Sequence, residues 1–411
     1  MDPFVLIGGG LTTARAAEAL RVGGYDGDLV VVTTEPHHPY ERPPLSKDYL
    51  RGEAERDVVF PLDEAWYTEH DVTVRTGETV VGLDPASHTL TLSDGAMLTF
   101  AKTLLAPGST PRALDVPGTD LAGVHYLRTI DDSDRISSTL LEASLEGVGR
   151  LVVVGDGWIG LEVAASARTL GLDVTIVGRG AHPLGRVLGP EMSDFYADVH
   201  AEHEVRLVRN TSVARLKGTD GRVTGVDLSD GTHIGADVVV IGVGAAPNVG
   251  LAEAAGLDLR PAAQGGGVVV DGTLATSHPD IFAAGDIASI PSPRYGRPLR
   301  VEHWAIAQES GLHAGRAMLG APDPYDKLPY FYSDQYDVGM EYTGWVDIQA
   351  GYDDVVVSGD TGKREFVAFW RVDGQVVAGM AVNVWDQMER VEELIRSLRK
   401  QSTAELEGFV G

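Results

Sequence analysis

One local pattern occurs twice in this chain and limits the folds it can adopt: a buried strand, then a glycine turn, then a helix. FVLI at residues 4–7 leads into GGG, and RLVVV at residues 150–154 leads into GDGWIG. Each unit then returns to a second aliphatic run, LVVVTTE at 29–35 and LDVTIVG at 172–178. Aliphatic runs that alternate with helical spacing are typical of parallel strands covered by helices. We therefore predict an α/β protein with two Rossmann-like dinucleotide-binding domains.

The remaining patterns indicate where the chain divides. Each unit is followed by alternating strands around a DG turn and then by a further buried strand, at 89–108 and 213–245. The end of the chain is aromatic and rich in turns, and it closes with the helical run QMERVEELIRSLRK. We predict three domains: a first nucleotide-binding domain from 1–110 and 236–320, a second from 111–235, and a C-terminal α+β domain at 321–411.

Charge and composition exclude several classes of function. The net charge of −27, from 60 acidic and 33 basic residues, disfavours binding to nucleic acid or to anionic membranes. No apolar run approaches the roughly 20 residues that span a bilayer, and no basic leader precedes FVLI, so we predict a cytoplasmic protein. The absence of cysteine excludes disulfides, thiolate metal sites and cysteine relays. Any redox chemistry must therefore use a bound cofactor.

The two glycine turns are candidate pyrophosphate sites. Glycine lets the backbone approach a ligand closely, and amides at a helix N-terminus attract anions. A single turn of this kind is often purely structural, but two, each between a buried strand and a helix, favour nucleotide binding. The candidate residues are Gly8 and Gly10 in the first turn and Gly155, Gly157 and Gly160 in the second.

The second strands of the two units end differently. Glu35 ends the first one, where a carboxylate accepts hydrogen bonds from ribose hydroxyls in such units. Gly178 ends the other, and Arg179, whose guanidinium suits phosphate, follows it. We therefore predict that the two domains bind different dinucleotides, one retained as a prosthetic group and one exchanged.

Five stretches together resemble one protein family. In the same order and over nearly the whole chain, they are similar to the flavin-dependent ferredoxin reductases of bacterial oxygenase and cytochrome P450 systems. This group includes putidaredoxin reductase and has the glutathione-reductase-like fold. The stretches are EPHHPYERPPLSKDYL (35–50), GDGWIGLEVAA (155–165), SHPDIFAAGDIA (277–288), VEHWAIAQ (301–308) and PYFYSDQYD (329–337).

The resemblance implies that the first nucleotide-binding domain holds FAD, with its glycine turn and Glu35 at the adenosine end. Arg42 matches a residue that contacts the flavin, and Asp286 matches the aspartate that bonds the ribityl chain. A helix start beside the flavin pyrimidine ring is implied for the residues Glu302, His303 and Trp304.

The resemblance also implies the catalytic residues. Lys47 matches the lysine near flavin N5, where its charge would favour the anionic reduced flavin. Glu162 resembles the glutamate that pairs with this lysine, although a carboxylate early in a helix is also favoured by the helix dipole alone. Tyr332 falls where the family usually has a tryptophan against the flavin, and packing in the core is the alternative for it.

The implied activity is transfer of a hydride from NADPH or NADH to FAD, then of single electrons to an iron–sulfur ferredoxin that feeds an oxygenase or cytochrome P450. The alternatives are reduction of quinones or other small oxidants, and NADH sensing of the kind found in apoptosis-inducing factor. We expect a monomer or weak homodimer. Ferredoxins are usually acidic, so we expect docking on Arg294, Arg297 and Arg300, unless these belong to a solvated loop.

The nicotinamide nucleotide depends on residues 178 and 179. NADH-specific members of the family carry a glutamate at the position of Gly178, which grips both ribose hydroxyls and repels a 2′-phosphate. Loss of that acid and the gain of Arg179 favour NADPH. The alternative is that Arg179 points to solvent and both nucleotides are used.

Overall fold

The computed structural model describes residues 2–145, 147, 149–321 and 323–410. The chain forms two compact units, each assembled from three segments. The first unit is Met1–Arg42, Arg56–Thr110 and Ala246–Pro329, and the second is Pro43–Glu55, Pro111–Ala245 and Tyr330–Gly411. The three predicted domains were defined by the ligand that each would bind, whereas these two units are defined by compactness. The division into three domains therefore stays a prediction.

The secondary structure alternates strands and helices through most of the chain. In chain order the strands are β1 (Phe4–Ile7), β2 (Leu29–Thr33), β3 (Val72–Thr76), β4 (Val80–Asp84), β5 (Thr89–Leu92), β6 (Met97–Thr99), β7 (Lys102–Leu105), β8 (Ser109–Pro111), β9 (Val124–Tyr126), β10 (Arg150–Val154), β11 (Asp173–Val177), β12 (Arg206–Val208), β13 (Val213–Thr219), β14 (Arg222–Leu228), β15 (His233–Gly235), β16 (Val238–Ile241), β17 (Ala245–Pro247), β18 (Val268–Val269), β19 (Ile281–Ala283), β20 (Ala288–Ser292), β21 (Arg297–Leu299), β22 (Tyr330–Gln335), β23 (Val338–Gly344), β24 (Asp354–Asp360), β25 (Glu365–Val372) and β26 (Gln375–Val382).

The helices include long ones that cover the sheets and short ones that connect strands. They are α1 (Leu11–Val22), α2 (Asp48–Arg51), α3 (Glu64–Glu69), α4 (Ile130–Leu145), α5 (Trp158–Thr169), α6 (Gly189–Glu202), α7 (Gly250–Ala254), α8 (Trp304–Met318), α9 (Met388–Ser397) and α10 (Thr403–Glu407), with 3₁₀ turns at Pro43–Ser46, Arg56–Val59, Ala262–Gln264, Gly285–Ile287 and Pro293–Tyr295. Within the described residues, none of these helices combines the length and the apolar character needed to cross a membrane.

A five-stranded parallel sheet forms the centre of the first unit, in the order β19-β7-β1-β2-β3. All four residues of β1 are buried, as expected for an aliphatic strand with neighbours on both sides. Two small sheets, β4-β5-β6 and β18-β20-β21, belong to the same unit. Because α1 begins just beyond β1, the first glycine turn lies at the carboxyl edge of the parallel sheet.

A second parallel sheet, in the order β12-β11-β10-β16-β9, repeats this plan in the second unit. The repeat extends to individual hydrogen bonds. The amide of Gly8 donates to the carbonyl of Val32 at 2.9 Å, and the amide of Gly155 donates to that of Val177 at 2.9 Å. The prediction of an α/β chain with two Rossmann-like regions is confirmed.

The second unit also contains an antiparallel sheet, in the order β22-β23-β26-β25-β24. Helix α9 places Val391 and Ile395 in the core of that unit. Val391 fits against Gly379 of β26, where a Cβ would lie only 2.4 Å from its Cγ1 atom. These elements are the α+β region predicted for the C-terminal part of the chain.

Two glycines allow α8 to pack directly on α1 within the first unit. A Cβ built on Gly311 would lie 2.4 Å from the carbonyl oxygen of Thr12, and one on Gly315 would lie 2.7 Å from that of Ala16. Both obstacles are backbone atoms, so a larger residue has to push the helices apart. The helix that follows the first glycine turn is thus held by close backbone packing.

We expect Gly311→Ala to lower the melting temperature, although alanine favours a helix interior over glycine by about 1 kcal/mol. Its methyl group meets backbone, and overpacking of a tight core costs about 1–3 kcal/mol. Gly250→Ala is the control, because a Cβ there meets no atom within 4 Å. Thermal melting of both variants checks this, and an unchanged melting temperature for Gly311→Ala would contradict it.

Candidate active site and nucleotide sites

The first glycine turn is shaped to receive a ligand. Gly8 has a φ of +138°, and a Cβ there would lie 2.1 Å from the carbonyl oxygen of Ala106, so only glycine fits. A Cβ on Gly10 would instead meet no atom within 4 Å. Gly10 is the N-cap of α1, and no described side chain caps its amides. The bare amides therefore face open space, which suits a pyrophosphate.

The second turn repeats this cradle in the other unit. Gly155 has a φ of +113°, and a Cβ there would lie 2.2 Å from the carbonyl oxygen of Gly242. Gly160 passes equally close to Gly155, whereas a Cβ on Gly157 meets nothing within 4 Å. Gly157 is the N-cap of α5, and no described side chain caps this helix either. Both turns thus combine a tight approach with a bare helix N-terminus.

Glu35 lies two residues beyond the end of β2, rather than at the strand end as predicted, and it contacts Arg42 of the same unit. The Arg42 guanidinium approaches one Glu35 carboxylate oxygen at 3.3 Å, and the Tyr40 hydroxyl donates to the other. Arg42 also donates to the Tyr40 hydroxyl at 3.1 Å. Burial alone would lower the pKa of Arg42, but Tyr40 and Glu35 outweigh it and raise the pKa. The predicted ribose acceptor is therefore fixed by a permanently charged neighbour.

Asp286 and the start of α8 occupy the same unit. The Ser109 hydroxyl donates to the Asp286 carboxylate at 2.7 Å. His303 is the N-cap of α8 and Trp304 its first residue, which confirms the predicted helix start. Burial lowers the pKa of His303 to about 4, although Asp286 opposes this, so the imidazole is neutral at neutral pH. Glu302 is exposed and accepts a hydrogen bond from Arg300 at 2.5 Å.

Lys47 and Glu162 form a buried ion pair in the second unit. The Lys47 ammonium lies 3.0 Å from the Glu162 carboxylate, and their side chains are 10% and 4% exposed. The hydroxyls of Ser46 and Ser333 donate to the same carboxylate at 2.5 Å and 2.7 Å. Glu162 is the fifth residue of α5, so these partners, rather than the helix dipole, account for its burial. The predicted catalytic residues are thus brought together.

A buried polar chain extends this site. The Gln335 amide donates to the Ser333 hydroxyl at 3.1 Å, and its oxygen faces His200 Nε2 at 2.8 Å. Burial lowers the pKa of His200 to about 4, so this ring is neutral. Sequence reasoning missed these residues and Ser46. The available signal was polar residues at alternate positions of a strand, Ser333 and Gln335, and a serine beside Lys47.

Tyr332 lies close to the Lys47 charge. The Lys47 ammonium is 5.6 Å from the centre of the Tyr332 ring, within the range of a cation–π interaction. Along β22 the residues alternate between buried and partly exposed, and Tyr332 belongs to the less buried face. Its position therefore differs from that of a core residue, the alternative that the sequence left open.

The end of β11 contains a carboxylate that the motif did not reveal. A Cβ built on Gly178 would lie 2.1 Å from Asp156 Oδ2, so the Asp156 side chain occupies the space beside Gly178. Burial raises the pKa of Asp156, and a backbone hydrogen bond and the nearby charges of Arg186 and Arg209 offset this rise only in part. Arg179 is exposed. Asp156 stands between two glycines, at a position that the glycine motif leaves unspecified, so the motif alone did not single it out.

We expect Lys47→Met to destabilise the protein, because it leaves the Glu162 carboxylate buried without its cation. Breaking a buried pair in this way costs about 3–5 kcal/mol. The control is Lys47→Met combined with Glu162→Gln, which removes both charges and keeps an amide for the two serines. Thermal melting should show a large loss for the single variant and a recovery for the double variant. Equal melting temperatures for the two would contradict the role assigned to the pair.

Comparison with known proteins agrees with this architecture. Residues 2–311 match the family described as pyridine nucleotide-disulphide oxidoreductase, and residues 330–407 match the reductase C-terminal family. The chain is 36% identical, over 396 residues, to the ferredoxin–NAD(+) reductase component of the anthranilate 1,2-dioxygenase system of Burkholderia cepacia. The alignment covers 96% of this chain and 94% of that protein.

Two solved structures are similar over nearly their whole length. The ferredoxin reductase for the CYP199A2 system from Rhodopseudomonas palustris has a TM-score of 0.92 and 33% identity, covering 99% of this chain and 97% of that one. A chain of the covalent putidaredoxin reductase–putidaredoxin complex has a TM-score of 0.91 and 31% identity, covering 100% and 98%. The family match at residues 2–311 includes both glycine turns, and the relative named above is 36% identical over 96% of this chain. The chain therefore belongs to the pyridine nucleotide-disulphide oxidoreductase family.

Proposed function

We propose that this enzyme transfers electrons from NADPH or NADH, through FAD, to a ferredoxin that serves an oxygenase or a cytochrome P450. The observation that carries the proposal is the absence of cysteine from a chain of this family. Without a cysteine pair the chain has no dithiol to pass electrons to a disulfide substrate. The similar proteins named above are ferredoxin reductases, which supports a one-electron carrier as the acceptor.

The first unit fits FAD. The clash that a Cβ would cause at Gly8 and the open space before Gly10 form a cradle for the pyrophosphate. Glu35 is placed by Arg42 for ribose hydroxyls, and Ser109 orients Asp286 for a polyol chain. Bound FAD would supply the conversion from two-electron to one-electron transfer, because a flavin accepts electrons as a pair and releases them singly.

The buried pair holds a cation in a defined position. Among the described residues, the Lys47 ammonium directs one N–H to Glu162 and one to the carbonyl of Pro43, at 3.2 Å. An ammonium has three donors, so one remains for a ligand. Ser46 and Ser333 fix the carboxylate and thereby the lysine. A charge held in this way stabilises negative charge on a neighbouring group without reorganisation.

We expect the purified protein to be yellow, with about one FAD per chain, and to reduce cytochrome c with NADPH or NADH only when a ferredoxin is added. Assays without ferredoxin, and with a quinone in its place, are the controls. Equal rates with a quinone alone would favour the small-oxidant alternative. A long-lived reduced flavin–nucleotide complex that ferredoxin does not reoxidise would favour NADH sensing.

The three arginines expected to dock ferredoxin differ in their exposure and in their partners. Arg300 is only 15% exposed and donates to Glu302 and to the carbonyl of Asp286, so its charge is used within the protein. Arg297 is exposed, and Arg294 stacks on the Tyr295 ring at 5.3 Å. We therefore propose docking through Arg294 and Arg297.

Replacing Arg294 and Arg297 by alanine should raise the KM for ferredoxin several-fold and flatten its dependence on salt, because steering by opposite charges is lost. The matched control is Arg222→Ala with Arg399→Ala, which removes the same charge at exposed positions elsewhere. Steady-state kinetics at several salt concentrations measures both. A KM that stays at the native value would reject this surface.

A further inference from the structure

The choice between NADH and NADPH depends on charge beside the adenosine ribose. NADPH carries a 2′-phosphate with about two negative charges, whereas NADH carries a hydroxyl that can donate a hydrogen bond to a carboxylate. In a unit of this fold the deciding side chain lies at the end of the second strand, next to the glycine turn. This inference rests on the proposed function, because it concerns the nucleotide that the enzyme oxidises.

The two units of this chain can be compared residue by residue. The equivalent hydrogen bonds from Gly8 and Gly155 align the next residue of each turn, Gly9 with Asp156. The same bonds end on the carbonyls of Val32 and Val177, so the residues that follow, Thr33 and Gly178, are also equivalent. The two positions that face each other are thus Gly9 with Thr33 in the first unit and Asp156 with Gly178 in the second.

Only one position of each pair carries a side chain into the space between them. In the first unit Gly9 is bare, and a Cβ there would lie 2.2 Å from Thr33 Oγ1. In the second unit the arrangement is reversed. Gly178 is bare, and a Cβ there would lie 2.1 Å from Asp156 Oδ2. An acid at position 178 would therefore have to displace the Asp156 carboxylate from this space.

We propose that Asp156 supplies the ribose carboxylate of the second unit from the glycine turn, and that its charge makes the enzyme select NADH over NADPH. The acid expected at the end of β11 is then not lost but moved to the facing residue. This proposal is the opposite of the NADPH preference that Gly178 and Arg179 predict from the sequence, because that prediction did not include the Asp156 carboxylate.

Burial and neighbouring cations act in opposite directions on this carboxylate. Burial has the larger effect and raises the pKa of Asp156, whereas a backbone hydrogen bond and the charges of Arg186 and Arg209 oppose the rise and favour the ionised form. Arg209 also donates to the carbonyl of Ala181, at 3.4 Å. An ionised Asp156 accepts from ribose hydroxyls and repels a 2′-phosphate.

The test compares kcat/KM for NADH and NADPH, and the Kd of the oxidised nucleotides, in the FAD-loaded protein. We expect the native protein to prefer NADH at least tenfold. Asp156→Asn keeps the size but removes the charge, and it should reduce this preference about tenfold, mainly by tighter binding of NADPH. Asp220→Asn, an exposed acid in the β13–β14 turn, is the charge-matched control and should leave the preference at the native value.

A swap variant tests the steric argument. Asp156→Gly with Gly178→Glu returns the acid to the strand end and should keep the NADH preference, whereas Gly178→Glu alone should lose nucleotide affinity, because it displaces the Asp156 carboxylate and places two acids in one space. A native preference for NADPH, or a ratio unchanged in Asp156→Asn, would overturn the proposal. A loss of NADPH affinity in Arg179→Ala would overturn it too. Binding is measured without ferredoxin, so failure of the proposed electron acceptor would be seen separately.

Discussion

The buried Lys47–Glu162 ion pair constrains how the second unit assembles. Removing two charges from water costs several kcal/mol per ion, and attraction between them repays this only when further hydrogen bonds complete the geometry. Here those bonds come from Ser46 and Ser333, which stand far apart in sequence. The segment Pro43–Glu55, helix α5 and strand β22 must therefore meet for the pair to be tolerated. The site and the assembly of the unit depend on the same interaction.

The hydrogen bonds that stabilise this pair extend beyond the Glu162 carboxylate. Gln335 and the neutral His200 continue the hydrogen bonding from Ser333. A buried polar network of this kind is stable when each member has a partner, and it then holds side chains in one arrangement. The position of the Lys47 cation is thus set by residues that need no contact with substrate.

Much of the fold could be predicted from the sequence, because glycine spacing and aliphatic runs report backbone requirements directly. The turns at Gly8 and Gly155 and the parallel strands beside them followed from local pattern, and the start of α8 followed from the family resemblance. The side chain that fills the space beside Gly178 could not be predicted in this way, because it depends on which residues face each other across the strand end and the glycine turn. Asp156 could be identified only once the structure placed its side chain beside Gly178. Arg300 was likewise chosen for its charge, and its partner Glu302 was not foreseen.

The bare helix N-termini at Gly10 and Gly157 link ligand binding to folding. Amides that no described side chain caps are satisfied by water or by a bound anion. A ligand that binds only the folded chain stabilises it by mass action, in proportion to the logarithm of its concentration over Kd. A retained cofactor would then contribute a constant share of the stability of its unit. An exchanged nucleotide would make the other unit respond to the supply of nucleotide in its surroundings.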